Sequence, residues 1–183
     1  TNSQNISPFS FEFWFPSDAQ VASSTKSPQI QAVSALSYDL TTGQVLFEKN
    51  SSEELPMASL TKVMTAIVAL DNFKSTDIIT VDHKSASIGE NSMGLTEGEK
   101  LTVEELLYGL FLMSGNDAAE ALANASPFGR ENFIYQMNKK AEDLGISNTR
   151  FTNPSGLQGD GKQYSTSQDL LIITKHALEN PLI

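Results

Sequence analysis

The sequence predicts an α/β fold that combines an antiparallel sheet with a helical region. Two extended segments, residues 30–39 and 44–49, are joined by turn residues and predict a β-hairpin. From residue 59 onward, apolar residues recur mainly at helical spacing. Segment 30–39 is apolar on both faces, and a two-stranded hairpin is not stable by itself. We therefore expect the sheet to be incomplete in this chain, with further strands supplied from beyond residue 183 or by another chain.

The elements after the hairpin follow from apolar spacing and from turn and capping residues. In chain order they are a helix over 59–70, a short strand over 78–81, a glycine-rich loop over 89–98, a helix from 102 to a break at 114–116, a helix over 127–144 ended by Gly145, a turn over 153–156 and a helix from 165 that Pro181 ends. Thr102 with Glu105, and Ser165 with Gln168, have the spacing of capping boxes. Asp117 is interpreted as the cap of a helix that follows the break.

Composition divides the chain near residue 30. Residues 1–29 are rich in Ser, Pro, Gln and Thr and predict a flexible leader or stalk, with an aromatic patch over 9–15. Residues 30–183 are predicted to be one folded domain, or the N-terminal and helical part of one. The first ten residues lack the basic and apolar regions of an intact signal peptide. No apolar run approaches the roughly 20 residues of a membrane helix.

Charge and residue usage exclude several classes of function. The net charge is −10 and the 12 Lys and Arg residues are scattered, which argues against binding to nucleic acids or anionic membranes. The chain has no cysteine, which rules out disulfides, thiolate metal sites and a cysteine nucleophile. His83 and His176 are the only histidines, and neither has an evident catalytic partner. We predict no metal site and no cofactor.

A Ser-x-x-Lys element, Ser59 to Lys62, stands at the start of the helix predicted over 59–70. Residues three apart on a helix share a face, so the hydroxyl and the amine can form a hydrogen bond. The helix N-terminus and burial both favour the neutral amine, which can activate a serine nucleophile. The pattern alone is weak, because Ser23 to Lys26 also matches it. The alternative is a helix N-cap serine beside a lysine that reaches for water.

A second polar element, Ser114-Gly115-Asn116, falls at the predicted break between two helices. A turn at this place projects a hydroxyl and a carboxamide from a rigid base. A Ser-x-Asn pattern also occurs at residues 3–5, so the position of this element carries the argument. The alternative is a turn that merely ends a helix.

Residues 35–177 resemble the D-alanyl-D-alanine carboxypeptidase family, the low-molecular-mass penicillin-binding proteins. The resemblance rests on segments that occur in the family's order: 38–46, 58–65 (Ala-Ser-Leu-Thr-Lys-Val-Met-Thr), 110–119 (Leu-Phe-Leu-Met-Ser-Gly-Asn-Asp-Ala-Ala), 151–157 (Phe-Thr-Asn-Pro-Ser-Gly-Leu) and 164–170. It implies a penicillin-binding/β-lactamase-like α+β sandwich, in which an antiparallel sheet adjoins a helical lobe and the active site lies between them.

The resemblance also implies a mechanism and a role for each motif residue. Ser59 would attack the penultimate D-alanine of a peptidoglycan stem peptide, and its backbone N–H would supply half of the oxyanion hole. Lys62 would accept the Ser59 proton and Ser114 would relay it to the leaving amine. Asn116 would bind the substrate's backbone amide. β-Lactams would acylate Ser59, and the protein would act outside the cytoplasm, in the cell envelope.

One departure from the family is the absence of its third motif, Lys-Thr/Ser-Gly. That motif supplies a cation and an oxyanion donor, so we expect this chain to be a fragment of an active enzyme, itself weak or inactive, rather than a natural pseudoenzyme. Any membrane proximity would come from segments outside it. The alternatives are a class A-like β-lactamase and a noncatalytic peptidoglycan-binding module, and the sequence does not separate a carboxypeptidase from an endopeptidase or indicate an oligomeric state.

Overall fold

The computed structural model describes residues 27–157 and 161–183. The chain divides after residue 31, and every element below belongs to the compact unit of residues 32–183. The elements in chain order are β1 Ala35–Asp39, β2 Gln44–Lys49, a 3₁₀ turn Ala58–Leu60, α1 Thr61–Asn72, β3 Ile78–Thr80, α2 His83–Ala86, β4 Lys100–Thr102, α3 Val103–Leu112, α4 Asn116–Asn124, α5 Gly129–Asp143 and α6 Ser167–Ala177. The predicted α/β class is confirmed. Most of the predicted leader, residues 1–26, lies outside the described residues.

The predicted hairpin forms, but its first strand is shorter than expected. β1 pairs with β2 in antiparallel register, and the Asp39 carboxylate accepts hydrogen bonds from backbone N–H groups inside the turn. β1 begins at Ala35 rather than at residue 30. The carbonyls of Ala32 and Val33 instead accept hydrogen bonds from side chains, those of Lys49 and Asn50. A side-chain donor therefore takes the place of a strand partner in this segment.

The core of the helical part lies between α1 and the short, alanine-rich α4. All residues of α4 except Asn124 are buried, including four alanines. Because alanine side chains are small, α1, α2, α3 and α5 all pack closely against α4. The site residues at the start of α4 are consequently fixed to the most enclosed helix of the described structure.

Several element ends differ from their predictions for local physical reasons. α3 has the predicted capping box between Thr102 and Glu105. α6 is instead capped by Thr166, whose side chain accepts the Asp169 N–H, so the predicted box at Ser165 is wrong. α6 also ends at residue 177, before Pro181. α5 begins two residues later than expected, and Gly145 follows its end in a left-handed conformation (φ 75°).

The strand β4 is an element that sequence analysis missed. It pairs with β3 as a second antiparallel ladder, with Ile79 opposite Leu101. Its last residue, Thr102, is also the N-cap of α3, so the capping-box signal dominates this stretch of sequence. Among the described residues, no helix combines the length and the apolar character needed to cross a bilayer.

Candidate active site

Ser59 lies in the 3₁₀ turn that leads into α1, one turn before Lys62. Ser59 is exposed, whereas Lys62 is 2% exposed in the first turn of α1. Their side chains meet, with 3.1 Å between Lys62 Nζ and Ser59 Oγ. The helical geometry inferred from the sequence thus brings the predicted pair together, with the hydroxyl facing solvent and the amine beneath it.

The Lys62 amine has two further hydrogen-bond partners. It donates to Asn116 Oδ1 at 2.8 Å and to the Ser155 carbonyl at 2.7 Å. Burial lowers the pKa of Lys62 from 10.5 to about 8. A neutral amine has two N–H donors and one lone pair. The charged amine donates to all three partners, Ser59 Oγ included, whereas in the neutral form, with both donors directed to Asn116 and Ser155, the lone pair can face the Ser59 hydroxyl.

Ser114 completes the polar cluster from the turn between α3 and α4. Its hydroxyl lies 3.0 Å from Ser59 Oγ. Ser114 has φ 52°, a conformation that few residues other than glycine adopt. The next residue must be small, because a methyl group at Gly115 would lie 2.9 Å from Asp117 Oδ1. The sequence of this turn therefore serves to project the Ser114 hydroxyl toward the serine of the 3₁₀ turn.

Asn116, the first residue of α4, is buried and faces Lys62. Its amide oxygen accepts from Lys62, and its nitrogen donates to the Gly89 carbonyl at 3.3 Å. The four residues predicted from the two motifs therefore converge in one cluster. Asn116 holds the amine in this cluster, a contact that sequence analysis did not predict.

Comparison with known proteins identifies the family. Residues 21–183 match the family described as D-alanyl-D-alanine carboxypeptidase.

The chain belongs to the D-alanyl-D-alanine carboxypeptidase family.

Relatives and solved structures agree with this membership. The chain is 42% identical over 154 residues to D-alanyl-D-alanine carboxypeptidase DacF of Bacillus subtilis, covering 81% of this chain and 39% of DacF. It is 38% identical over 170 residues to DacB2 of Mycobacterium tuberculosis, covering 92% of this chain and 58% of DacB2. The chain therefore spans only part of the length of the curated relatives that it matches.

The fold of the family is also shown by structural similarity. A crystal structure of a D-alanyl-D-alanine carboxypeptidase from Mycobacterium tuberculosis superposes with a TM-score of 0.82 at 38% identity, covering 90% of this chain and 62% of that chain. A mutant of the Streptomyces K15 DD-transpeptidase superposes with a TM-score of 0.79 at 35% identity, covering 85% of this chain and 64% of that chain. The expected penicillin-binding type of fold is confirmed.

Asp117 does not cap a helix in this family member, so the predicted helix cap is wrong. Gly115 is the N-cap residue of α4, its carbonyl accepts the Ala119 N–H and no side chain caps the helix, while Asp117 lies inside the first turn. Its carboxylate, 1% exposed, accepts from Ser92 Oγ at 2.6 Å and from the N–H groups of Met93, Gly94 and Leu95 at 3.0–3.1 Å. Asp117 therefore fastens the glycine-rich loop beside the Ser114 turn. The loop was predictable, but its anchor was not.

Replacing Asp117 with asparagine should destabilise the protein by about 3 kcal/mol, because an amide NH₂ would face backbone donors that the carboxylate now satisfies. Burial raises the pKa of Asp117, but hydrogen bonds from Ser92 and the backbone outweigh burial and hold that pKa below 3.8. The carboxylate's contribution is thus present above about pH 4 and is lost as pH falls through the lowered pKa. Urea unfolding at neutral and acid pH measures both effects. Asp143→Asn, at an exposed surface ion pair with Lys139, is the matched control and should change stability much less.

Proposed function

We propose that the protein is a serine-type D-Ala-D-Ala carboxypeptidase that hydrolyses the terminal D-alanine of peptidoglycan stem peptides through an acyl-enzyme on Ser59. One observation carries this proposal. The exposed Ser59 hydroxyl lies within hydrogen-bonding distance of a buried amine, Lys62 Nζ at 3.1 Å, and of a second hydroxyl, Ser114 Oγ at 3.0 Å. A nucleophile, a base and a proton relay are the parts that acyl transfer requires.

In the proposed acylation step, neutral Lys62 removes the proton of Ser59 as Ser59 Oγ attacks the carbonyl carbon of the penultimate D-alanine. A tetrahedral oxyanion forms, which the backbone N–H of Ser59 helps to stabilise. The proton then passes through Ser114 to the nitrogen of the leaving D-alanine. The C–N bond breaks, free D-alanine leaves, and the peptide remains as an ester on Ser59. Water hydrolyses this ester and restores the serine.

The polar contacts around Lys62 support its role as base rather than as a fixed cation. With a pKa of about 8, roughly a tenth of the lysine is neutral at pH 7. The hydrogen bonds to Asn116 and Ser155 fix the orientation of the amine in that form. Asn116 Nδ2 carries two hydrogens, of which the Gly89 carbonyl takes one, so the other is proposed to meet the substrate's backbone.

The proposed substrate also sets the inhibitors and the location. A β-lactam presents a strained amide to the same nucleophile, so we propose that β-lactams acylate Ser59. Stem peptides belong to peptidoglycan, so we propose that the protein acts in the cell envelope, outside the cytoplasm. The relatives support this substrate class, since those described above are named D-alanyl-D-alanine carboxypeptidases and a DD-transpeptidase.

The test uses the full-length protein with a peptide that ends in D-Ala-D-Ala. We expect release of free D-alanine, no release from the same peptide ending in L-Ala-L-Ala, and one covalent penicillin adduct per molecule that hydrolyses slowly. Fast turnover of penicillin without D-alanine release would instead indicate a class A-like β-lactamase. Binding of peptidoglycan with neither adduct nor D-alanine release would indicate a noncatalytic module.

A further inference from the structure

The turn over residues 153–156 contacts both parts of the reactive pair. The Ser155 carbonyl accepts a hydrogen bond from Lys62. Gly156, in a left-handed conformation (φ 85°), lies directly against the chain that enters the 3₁₀ turn. A methyl group at Gly156 would lie 2.0 Å from the carbonyl oxygen of Ala58, the residue before the nucleophile. Movement of this turn would therefore disturb the nucleophile's backbone and the orientation of the amine together.

The turn is closed internally by Asn153. Its side-chain oxygen accepts from the N–H groups of Gly156 at 2.7 Å and Ser155 at 3.2 Å, and its nitrogen donates to the Leu157 carbonyl at 2.8 Å. These bonds make the turn a rigid unit. The position of that unit against α1 depends on further contacts, one of which is the hydrogen bond from Thr65 Oγ1 in α1 to the Pro154 carbonyl at 2.6 Å.

Gln163 supplies a bridge between this turn and the start of α1. Its side-chain oxygen accepts from the N–H groups of Thr152 at 2.8 Å and Asn153 at 3.1 Å. Its nitrogen donates to Thr61 Oγ1 at 2.9 Å, and Thr61 Oγ1 donates to the Ala58 carbonyl at 2.7 Å. One amide group thus joins the turn to the helix start and, through Thr61, to the peptide that precedes Ser59.

The backbone beside Gln163 is itself anchored. Tyr164 and Arg150 exchange two backbone hydrogen bonds, at 2.9 and 3.2 Å. Ser165 and Leu55 likewise exchange two, at 2.9 and 3.0 Å. Gln163 therefore reaches the site from a fixed segment, so its amide can hold the turn in place rather than move with it.

We propose that Gln163 is a positioning residue that sets the Lys62 amine against the Ser59 hydroxyl. It touches neither reactive atom and acts through the 153–156 turn and Thr61. This inference rests on the proposed function, because it assigns Gln163 a part in acylation. Without the Gln163 amide, the turn keeps its hydrogen bond from Thr65 but loses its tie to Thr61, so the Ser155 carbonyl can shift relative to Lys62 and weaken one of the two contacts that orient the amine.

The test compares Gln163→Met with Gln163→Glu in the full-length protein. Methionine keeps the approximate shape and loses all three hydrogen bonds. Glutamate keeps an acceptor for Thr152 and Asn153 but loses the donor to Thr61. The measurement is the second-order rate constant for acylation by penicillin, determined from about pH 6 to about pH 10. Each value is divided by the fraction of molecules that penicillin labels at saturation.

We expect the rate constant for acylation of the Gln163→Met variant by penicillin to fall about 100-fold, as for a small misplacement of reacting groups. The rate constant of the Gln163→Glu variant should fall less. We also expect the rise of the rate with pH, centred near the Lys62 pKa of about 8 in the unchanged protein, to move to lower pH in the methionine variant, because weakening the hydrogen bond to the Ser155 carbonyl removes an acceptor that stabilises the charged amine. Gln168→Met is the matched control, because Gln168 is an exposed glutamine whose amide donates to Glu48 and to the buried Ser51 and to neither site residue, so the acylation rate of this variant should not change.

A purely structural role predicts a different outcome. It lowers thermal stability and the fraction of molecules that label, but leaves the rate per labelled site and its pH profile unchanged. That outcome in both variants overturns the proposal. If Gln163→Met does not fold, the glutamate variant decides by the same rate and profile. An unchanged protein that penicillin does not acylate rejects the proposed function itself, which separates the two failures.

Discussion

Replacing Ser59 with alanine should abolish both the penicillin adduct and the release of D-alanine, a loss of about 10⁴-fold or more in rate. The expectation follows from the geometry of the cluster. Lys62 Nζ contacts Ser59 Oγ directly, whereas the Ser114 hydroxyl, among the contacts of the described residues, meets Ser59 and not the amine. Removing the Ser59 hydroxyl therefore leaves Ser114 without an activating base at hydrogen-bonding distance.

Mass spectrometry of the penicillin-treated, digested full-length protein measures this effect. The adduct should map to the peptide that contains Ser59 and should disappear in Ser59→Ala. Ser23→Ala is the control, because Ser23 to Lys26 repeats the Ser-x-x-Lys pattern elsewhere in the chain. An adduct that survives the change at Ser59 would reject this residue as the nucleophile. Thermal unfolding of both variants shows whether the fold is intact.

The contact between Ser59 and Lys62 was predictable because its geometry is local. Ser59 and Lys62 are three residues apart at a helix start, and helical periodicity alone puts them on one face. The sequence predicts Ser59 within the α-helix, whereas in the structure it lies in a 3₁₀ turn before α1. The tighter turn still leaves the two groups 3.1 Å apart. A short-range signal of this kind tolerates an error in the helix boundary.

The parts of the site that escaped prediction depend on contacts across the fold. Asn116 meets Lys62 across 54 positions in the sequence, and Ser155 meets it across 93. The 153–156 turn was recognised as a turn, but nothing in its residue types indicates that its carbonyl faces a lysine. Gln163 carries no local signal at all, because a glutamine in a polar segment is ordinarily a surface residue.

The interpretation of Asp117 failed for a related reason. An acidic residue after a helix break is ordinarily a cap, and local propensity favours that interpretation. Here the carboxylate is buried and faces the loop segment from Ser92 to Leu95. Several converging N–H groups stabilise a carboxylate more than one cap contact does. Tertiary contacts therefore override the local preference, and single-sequence reasoning has no access to them.

Replacing Lys62 with methionine should lower acylation by about 10³-fold, since a positioned general base contributes about 10²–10⁴-fold. Methionine retains most of the buried volume but cannot accept the Ser59 proton. In the unchanged protein the acylation rate should rise with pH and level off above the Lys62 pKa of about 8. Stopped-flow labelling by penicillin measures both. Lys139→Met, at a surface lysine that pairs with Asp143, should keep the rate and the profile.

A second measurement on the same variant tests the buried amine without any reaction. The pKa of Lys62 is about 8 in the folded protein and 10.5 as its ordinary value, so the unfolded chain binds more protons between those pH values. The free energy of unfolding must then rise with pH over that range, by about 3 kcal/mol for this one group. Below about pH 8 the full cost of charging the buried amine is present. Urea unfolding from neutral to alkaline pH should show this rise in the unchanged protein and in Lys139→Met, and should lack it in Lys62→Met. Equal slopes in all three proteins would show that Lys62 keeps its ordinary pKa of 10.5, and its neutral fraction at pH 7 would then fall from about a tenth to well under a thousandth, too little for the base proposed for Ser59.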